Sequence, residues 1–210
     1  MKMFSLFPFL AATALAIGLA ASSPILAPRN LCPVNKEQPD LKPASNGVSG
    51  AYQHISAKHP EQVFPGSDWA KVTPNDVCAI FNLRVSVPAS QGKICNTMFE
   101  FPDWHQAPDL FKFSGSGNFT LTSYKPGFGS LEGVTTYYNQ PPFSIKYFRM
   151  PYVMKPGNSY LIRSEPCNIA PGIPSPSWVA GSLCSSDTEF IFKQSNLLCP
   201  LGFYMVLTDI

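Results

Sequence analysis

Charge is scarce in this sequence, and so are histidine and any helical pattern; each shortage removes a class of function. Charged residues are 13% of 210, with 15 Lys and Arg against 13 Asp and Glu, and no basic cluster exceeds two residues. A nucleic-acid surface needs a basic patch or stripe, so no DNA or RNA partner is expected. Only three histidines occur. His54 and His59, five residues apart, would not share a helical face, and they read as a solvated pair. The cysteines lack the paired ligand spacing of a zinc site, the shortest gap being Cys184 to Cys199, so no metal is expected. Ser114-Gly115-Ser116-Gly117 is not followed by Lys-Ser/Thr or by a helix that could hold an anion, which argues against a phosphate loop. No cofactor is expected. No segment combines a helical period with caps, and 22 prolines argue against long helices. Beyond residue 21 no apolar run is long enough to span a bilayer, so no membrane span is expected in the mature chain.

One long apolar run is present, at the start. Lys2 precedes an apolar stretch from Phe4 to Ala21, and Gly18-Leu19-Ala20 offers small residues for cleavage near Ala20 to Ser23. This is the layout of a secretory signal peptide over residues 1–21. An uncleaved anchor is disfavoured because Pro8 interrupts the run and Pro24, Pro28 and Arg29 end it. The expected location is therefore secreted, extracellular or in the cell wall, which sets the meaning of the six cysteines: Cys32, Cys78, Cys95, Cys167, Cys184 and Cys199. An even number in an oxidising compartment reads as disulfides, with the connectivity open. The sequon Asn118-Phe119-Thr120 makes Asn118 a glycosylation candidate in the same compartment.

Residues 22–76 read as an irregular Pro-rich leader, with eight prolines between Ser22 and Asn75 and few large aliphatics. Cys32, Val63-Phe64 and Trp69 give it points of attachment to the β-rich remainder of the chain. Residues 77–210 read as short β-rich runs separated by Pro, Gly, Ser and Asn, the pattern of an antiparallel β-sandwich. The run from Ala79 to Val87 alternates from Phe81 onward, Pro88 stops it, and Ile94 to Phe101 comes next, so these two are expected to pair as a hairpin. Further strands are expected over Leu110–Phe113, Asn118–Tyr124, Val134–Tyr138, Phe143–Phe148, Ser159–Arg163, Trp178–Ala180, Glu189–Phe192 and Phe203–Leu207. Gly115 and Gly117 supply positive φ for a tight hairpin turn, and Pro156-Gly157-Asn158 does the same before the strand at Tyr160. The fold class is all-β, disulfide-bonded.

The order of these blocks resembles a known family. Phe81 to Pro88, Gly92 to Pro102, Phe113 to Gly117, Thr135 to Pro141, Pro156 to Tyr160, Cys167 and Gly202-Phe203-Tyr204 together resemble the fungal But-type C-terminal domain of ubiquitin-pathway-binding proteins, over about residues 78 to 208. The resemblance implies a β-sandwich with Cys95 and Cys167 as a buried pair, and the simplest completion joins Cys184 to Cys199 and Cys32 to Cys78. The family name implies binding of a ubiquitin-pathway component of cytosol and nucleus, and the resemblance carries no catalytic residues.

For chemistry of its own, the chain offers His105 beside Asp103 and Trp104, without a Gly-x-Ser-x-Gly or cysteine nucleophile. Glu100, Asp103, Asp109, Glu132, Asp187 and Glu189 are carboxylates that a glycoside hydrolase could use only if two of them faced each other across a cleft. Among the aromatics, Trp104, Tyr137, Tyr138, Tyr147, Phe148, Tyr152 and Trp178 could stack on sugar rings if several shared one exposed face. Trp104, Tyr137 and Tyr138 are the leading candidates for ligand contact. The expectation is a secreted, non-enzymatic binding or structural protein of the fungal cell surface, its partner a wall polysaccharide or an extracellular protein. An effector with a protein partner, or a carbohydrate-active hydrolase, is the alternative.

Overall fold

The strand runs seen in the sequence fold into three antiparallel sheets. In a computed structural model of the chain, the described residues are Lys36–Glu37, 52–145, 150–167, 169–170, 175–196 and 199–210. The elements in order are β1 (Lys36–Glu37), β2 (Gln53–Ser56), β3 (Trp69–Val72), β4 (Val77–Val85), α1 (Val87–Ser90), β5 (Lys93–Phe101), β6 (Phe111–Ser114), β7 (Asn118–Ser123), β8 (Met150–Val153), β9 (Asn158–Pro166), β10 (Ser177–Ser185), β11 (Glu189–Lys193) and β12 (Gly202–Asp209). One sheet has the order β2-β4-β10-β7-β8, a second β1-β12-β5-β9 and a third β3-β11-β6. The signal segment 1–21 lies outside the described residues.

Period-two alternation sorts each strand between two faces. On β4, Ala79, Phe81, Leu83 and Val85 enter the main core, while Cys78 and Ile80 face the other way into a smaller cluster with Ile55, Tyr124 and Ala180. The five-stranded and four-stranded sheets meet where Phe81 of β4 stacks on Phe203 of β12, with ring centroids 3.7 Å apart. The third sheet closes against them through Phe190 and Phe192 of β11, whose rings lie 6.0 and 5.4 Å from that of Phe99 on β5. Each such ring, fully buried, contributes about 1.5–3 kcal/mol relative to exposure. The result is the expected all-β sandwich, with phenylalanine as its main filler.

The expected hairpin between the runs at Ala79 and Ile94 does not form. β4 pairs with β2 and β10, whereas β5 pairs with β12 and β9. The turn between them is α1, capped by Ser86, whose hydroxyl accepts from the Ala89 N–H, with Pro88 in the first turn. It carries the chain from one sheet to the other, so the two alternating faces oppose each other across the core instead of lying side by side. The Gly115–Gly117 turn likewise joins strands of different sheets. Its positive φ values, 129° and 80°, are as expected, and a Cβ at Gly115 would meet the Asp187 carbonyl oxygen at 2.5 Å.

The leader is shorter than read. β2 and β3 fall inside residues 22–76, where they pair with β4 and β11, and Ile55, Ala70 and Val72 are buried. Four-residue strands among prolines carry too few alternations to register as a pattern, and pairing with distant strands supplies what local sequence does not. The strand expected over Val134–Tyr138 is absent as well. There the Thr135 N–H donates to the Leu131 carbonyl and the Thr136 N–H to the Asn139 side chain, which folds the backbone into turns. Of the strand expected at 143–148, Phe143 forms only an isolated bridge to Tyr124, and residues 146–148 lie outside the described residues. The segment 124–145 instead covers the outer face of the five-stranded sheet. It is fastened by Asn82, which donates to the Ser130 hydroxyl (2.9 Å) and accepts from the Ser130 N–H (3.0 Å).

Cys95 and Cys167 are bonded, as the resemblance implies. The rest of that completion is overturned. Cys78 bonds Cys184, its neighbour across the β4–β10 pairing, with Cα atoms 4.5 Å apart. Sheet register, not proximity along the chain, brings these two within disulfide range. Cys199 is also disulfide-bonded, and Cys32 lies outside the described residues.

Candidate functional site

Because Phe119, Leu121 and Leu183 point into the core, Thr120 and Thr122 of β7 and Ser182 and Cys184 of β10 point to the opposite face. With Ile55 and Cys78 they floor a cavity of about 370 Å³, within the range of small-ligand sites of about 300–1,000 Å³. Tyr137, Gln140 and Phe143 of the covering segment form one wall. The other is made by Ala57, Asn75, Asp76, Ser185 and Ser186.

Both walls are held in place. The Tyr124 hydroxyl donates to Gln140 Oε1 (2.9 Å), and Gln140 Nε2 donates to the Tyr137 carbonyl (2.8 Å). The Tyr124 ring stacks on Phe143 at 5.7 Å, and burial pushes its hydroxyl pKa up. On the far side Asn75 Nδ2 donates to the Ser186 carbonyl (2.9 Å). Asp76 Oδ1 accepts from the Ser56 hydroxyl (2.5 Å) and the Lys58 N–H (3.2 Å). The Ser56 hydroxyl is the main cause that holds the Asp76 carboxyl below its ordinary value, with Lys58 and His59 adding to it, so Asp76 is anionic at neutral pH. Among the described residues it is the one carboxylate in the lining, and no Lys or Arg lines the cavity. Hydroxyls, amides and two aromatic rings therefore set its chemistry.

Of the leading aromatic candidates, Tyr137 lines the cavity and Tyr138 stands beside it, 72% exposed, its ring 6.5 Å from that of Tyr137. Trp104 is not part of this site. It stacks on Phe111 at 4.1 Å, in the β5–β6 connection. Trp178 is buried, Tyr152 is half-buried with its hydroxyl donating to the Ile162 carbonyl (2.6 Å), and Tyr147 and Phe148 lie outside the described residues. Cys78 and Cys184 belong to the floor, while Asn118 begins β7 on the same outward face as Thr120.

The Asp103/His105 arrangement has a structural explanation. Asp103 Oδ1 accepts the backbone N–H groups of His105 (2.8 Å) and Gln106 (3.0 Å), which makes it a turn cap. Glu100 is buried and accepts from the Ser159 hydroxyl. Asp187 accepts from Thr188 and Asn118, which hold its carboxyl below the ordinary value. None of the six carboxylates singled out in the sequence lines the cavity. Among the described residues no three His, Cys, Asp or Glu side chains converge as a metal would require. Gln140, Phe143 and the Thr120/Thr122/Ser182 floor were not visible in the sequence, because only the sheet register gathers them.

The profile of the ubiquitin 3 binding protein But2 C-terminal domain matches residues 51–197. The chain belongs to this family. The But2 C-terminal domain thus begins ahead of β2 and takes in β3, in agreement with the pairing of both strands, and every residue lining the cavity falls within it. Among curated proteins no relative matches the chain.

Proposed function

We propose that this protein is a secreted, non-enzymatic binding protein of the fungal cell surface or extracellular space, and that its cavity takes a neutral sugar unit of a wall polysaccharide. The observation that carries the reading is the cavity's make-up: two aromatic rings, Tyr137 and Phe143, above a floor of hydroxyls, with no cation among the described lining residues. A pyranose ring presents an apolar face to an aromatic ring and hydroxyls all around its edge, so it can use both surfaces at once. An anionic ligand would face Asp76 without a compensating Lys or Arg in the lining, at a cost in desolvation. The signal layout at residues 1–21 supports the extracellular location.

Retention of the purified mature protein on insoluble chitin, β-glucan and cellulose tests the reading. Binding to at least one polymer is expected, lost about tenfold or more in Tyr137→Ala or Phe143→Ala and kept in Trp104→Ala, since a stacking ring contributes roughly 0.5–1.5 kcal/mol on top of the apolar area it buries. No retention on any polymer, or retention indifferent to Tyr137 and Phe143, would sink it.

A second reading, an extracellular protein partner, is favoured by β9. This nine-residue strand lies at the edge of its sheet, pairs among the described residues with β5 alone and leaves Leu161 54% exposed. Such an edge is a template for strand addition. The ubiquitin 3 binding in the family's description would be one protein-partner precedent. Leu161→Lys would abolish capture of a protein partner while leaving polymer retention intact.

A further inference from the structure

We propose that Asn118 carries an N-linked glycan whose first sugar lies over Val153 and against Asp187, next to the Ser185–Ser186 wall of the cavity. This rests on the extracellular route of the reading above, because only a chain in the secretory pathway meets the glycosyl transferase. Asn118-Phe119-Thr120 is the sole sequon in the sequence. The fold places it productively: Phe119 and Leu121 are buried in the core, so Asn118 and Thr120 project together from the outer face, Asn118 exposed and Thr120 in the cavity lining. Residues two apart on a strand are about 7 Å apart, roughly the span of one sugar ring.

Two neighbours point to where that sugar rests. Directly across the β7–β8 pairing from Asn118 is Val153, an apolar side chain left 62% exposed. Facing residues in such a pair have Cβ atoms about 5 Å apart, within reach of the acetyl methyl of an N-acetylglucosamine. On the other flank Asp187 accepts from Asn118 Nδ2 at 2.5 Å and is itself held by the Thr188 hydroxyl at 2.6 Å. In the transfer, Nδ2 displaces the lipid diphosphate from the anomeric carbon of a lipid-linked oligosaccharide donor. A C1–N bond forms, the C1–O bond breaks and one Nδ2 proton passes to a base of the transferase. The remaining N–H stays available to Asp187, which fixes the direction in which the glycan departs. The mouth of the cavity is then part protein and part carbohydrate.

Intact-mass measurement on protein recovered from the medium of a eukaryotic secretory host, before and after endoglycosidase H, tests the attachment. The wild type and a sequon-preserving Thr120→Ser variant should both lose glycan mass down to a single N-acetylhexosamine, while Asn118→Gln should carry none. Secreted protein with unmodified Asn118 overturns the proposal and leaves the extracellular reading standing. On the trimmed protein, nuclear Overhauser contacts between the acetyl methyl and the Val153 methyls are expected. Their absence overturns the placement. Neither measurement depends on polysaccharide retention, so the two readings fail separately.

Discussion

His54 shows how a single side chain couples this fold to pH. On β2, its Nε2 accepts the backbone N–H of Lys71 (2.9 Å), which ties β2 to β3. Burial, with Lys71 adding to it, lowers its pKa from 6.5 to about 4. Above pH 6.5 the imidazole is neutral in both folded and unfolded chains and its titration contributes nothing. As the pH falls through 6.5 the unfolded chain takes up the proton first, so native stability drops until the folded imidazole also titrates near pH 4. The loss saturates at up to about 3 kcal/mol. Urea denaturation at pH 7 and pH 4.5 should therefore show a smaller acid loss in His54→Gln than in wild type; equal losses would refute the assignment. In the sequence His54 reads as a solvated linker residue, because nothing local reveals that Lys71 supplies a backbone donor.

At the scale of elements, the segment 124–145 decides whether the cavity exists. Tyr124 donates its N–H to the Ala180 carbonyl (3.0 Å) and Gly127 to that of Trp178 (2.8 Å), but the buried fastening is the double hydrogen bond between Asn82 and Ser130. Asn82→Ala removes both and leaves Ser130 buried without that partner, a cost of about 2–3 kcal/mol. Chymotrypsin should then cut after exposed Phe128 faster than in wild type. Unchanged resistance would mean that the other contacts suffice to hold the segment. The β-rich composition of this stretch was legible; its conformation was not. Asn139 takes the Thr136 N–H, and a side chain competing for the backbone in this way defeats a strand reading based on Val, Thr and Tyr alone.

For the whole molecule, the two described disulfides lie in different sheets and close long loops. Cys78–Cys184 has a sequence separation of 106, and Cys95–Cys167 one of 72. In the chain-entropy view each contributes about 4–5 kcal/mol. The paired Cys78→Ser, Cys184→Ser variant should melt about 10–20 °C lower than wild type, the shift expected for about 5 kcal/mol in a chain of this size. Peptide mapping under non-reducing conditions checks the connectivity directly: a Cys184–Cys199 linkage would contradict the β4–β10 register. Removing this bridge also opens the floor of the cavity, so polymer retention should fall along with stability.

What the sequence determined by itself is what depends on neighbours along the chain. Alternation of apolar residues set the strands at Ala79, Ile94, Phe119 and Phe203, proline and glycine set their ends, and the order of these blocks was enough to mark the family. Tertiary structure decided which strands became neighbours. It placed β4 and β5 in opposing sheets, recruited β2 and β3 from an apparent leader, joined Cys78 to Cys184 and gathered Thr120, Ser182, Tyr137 and Phe143 around one cavity. The physical reason is that strand pairing is non-local: each strand offers the same backbone donors and acceptors to any partner, and the fit of buried side chains across the whole core selects among them.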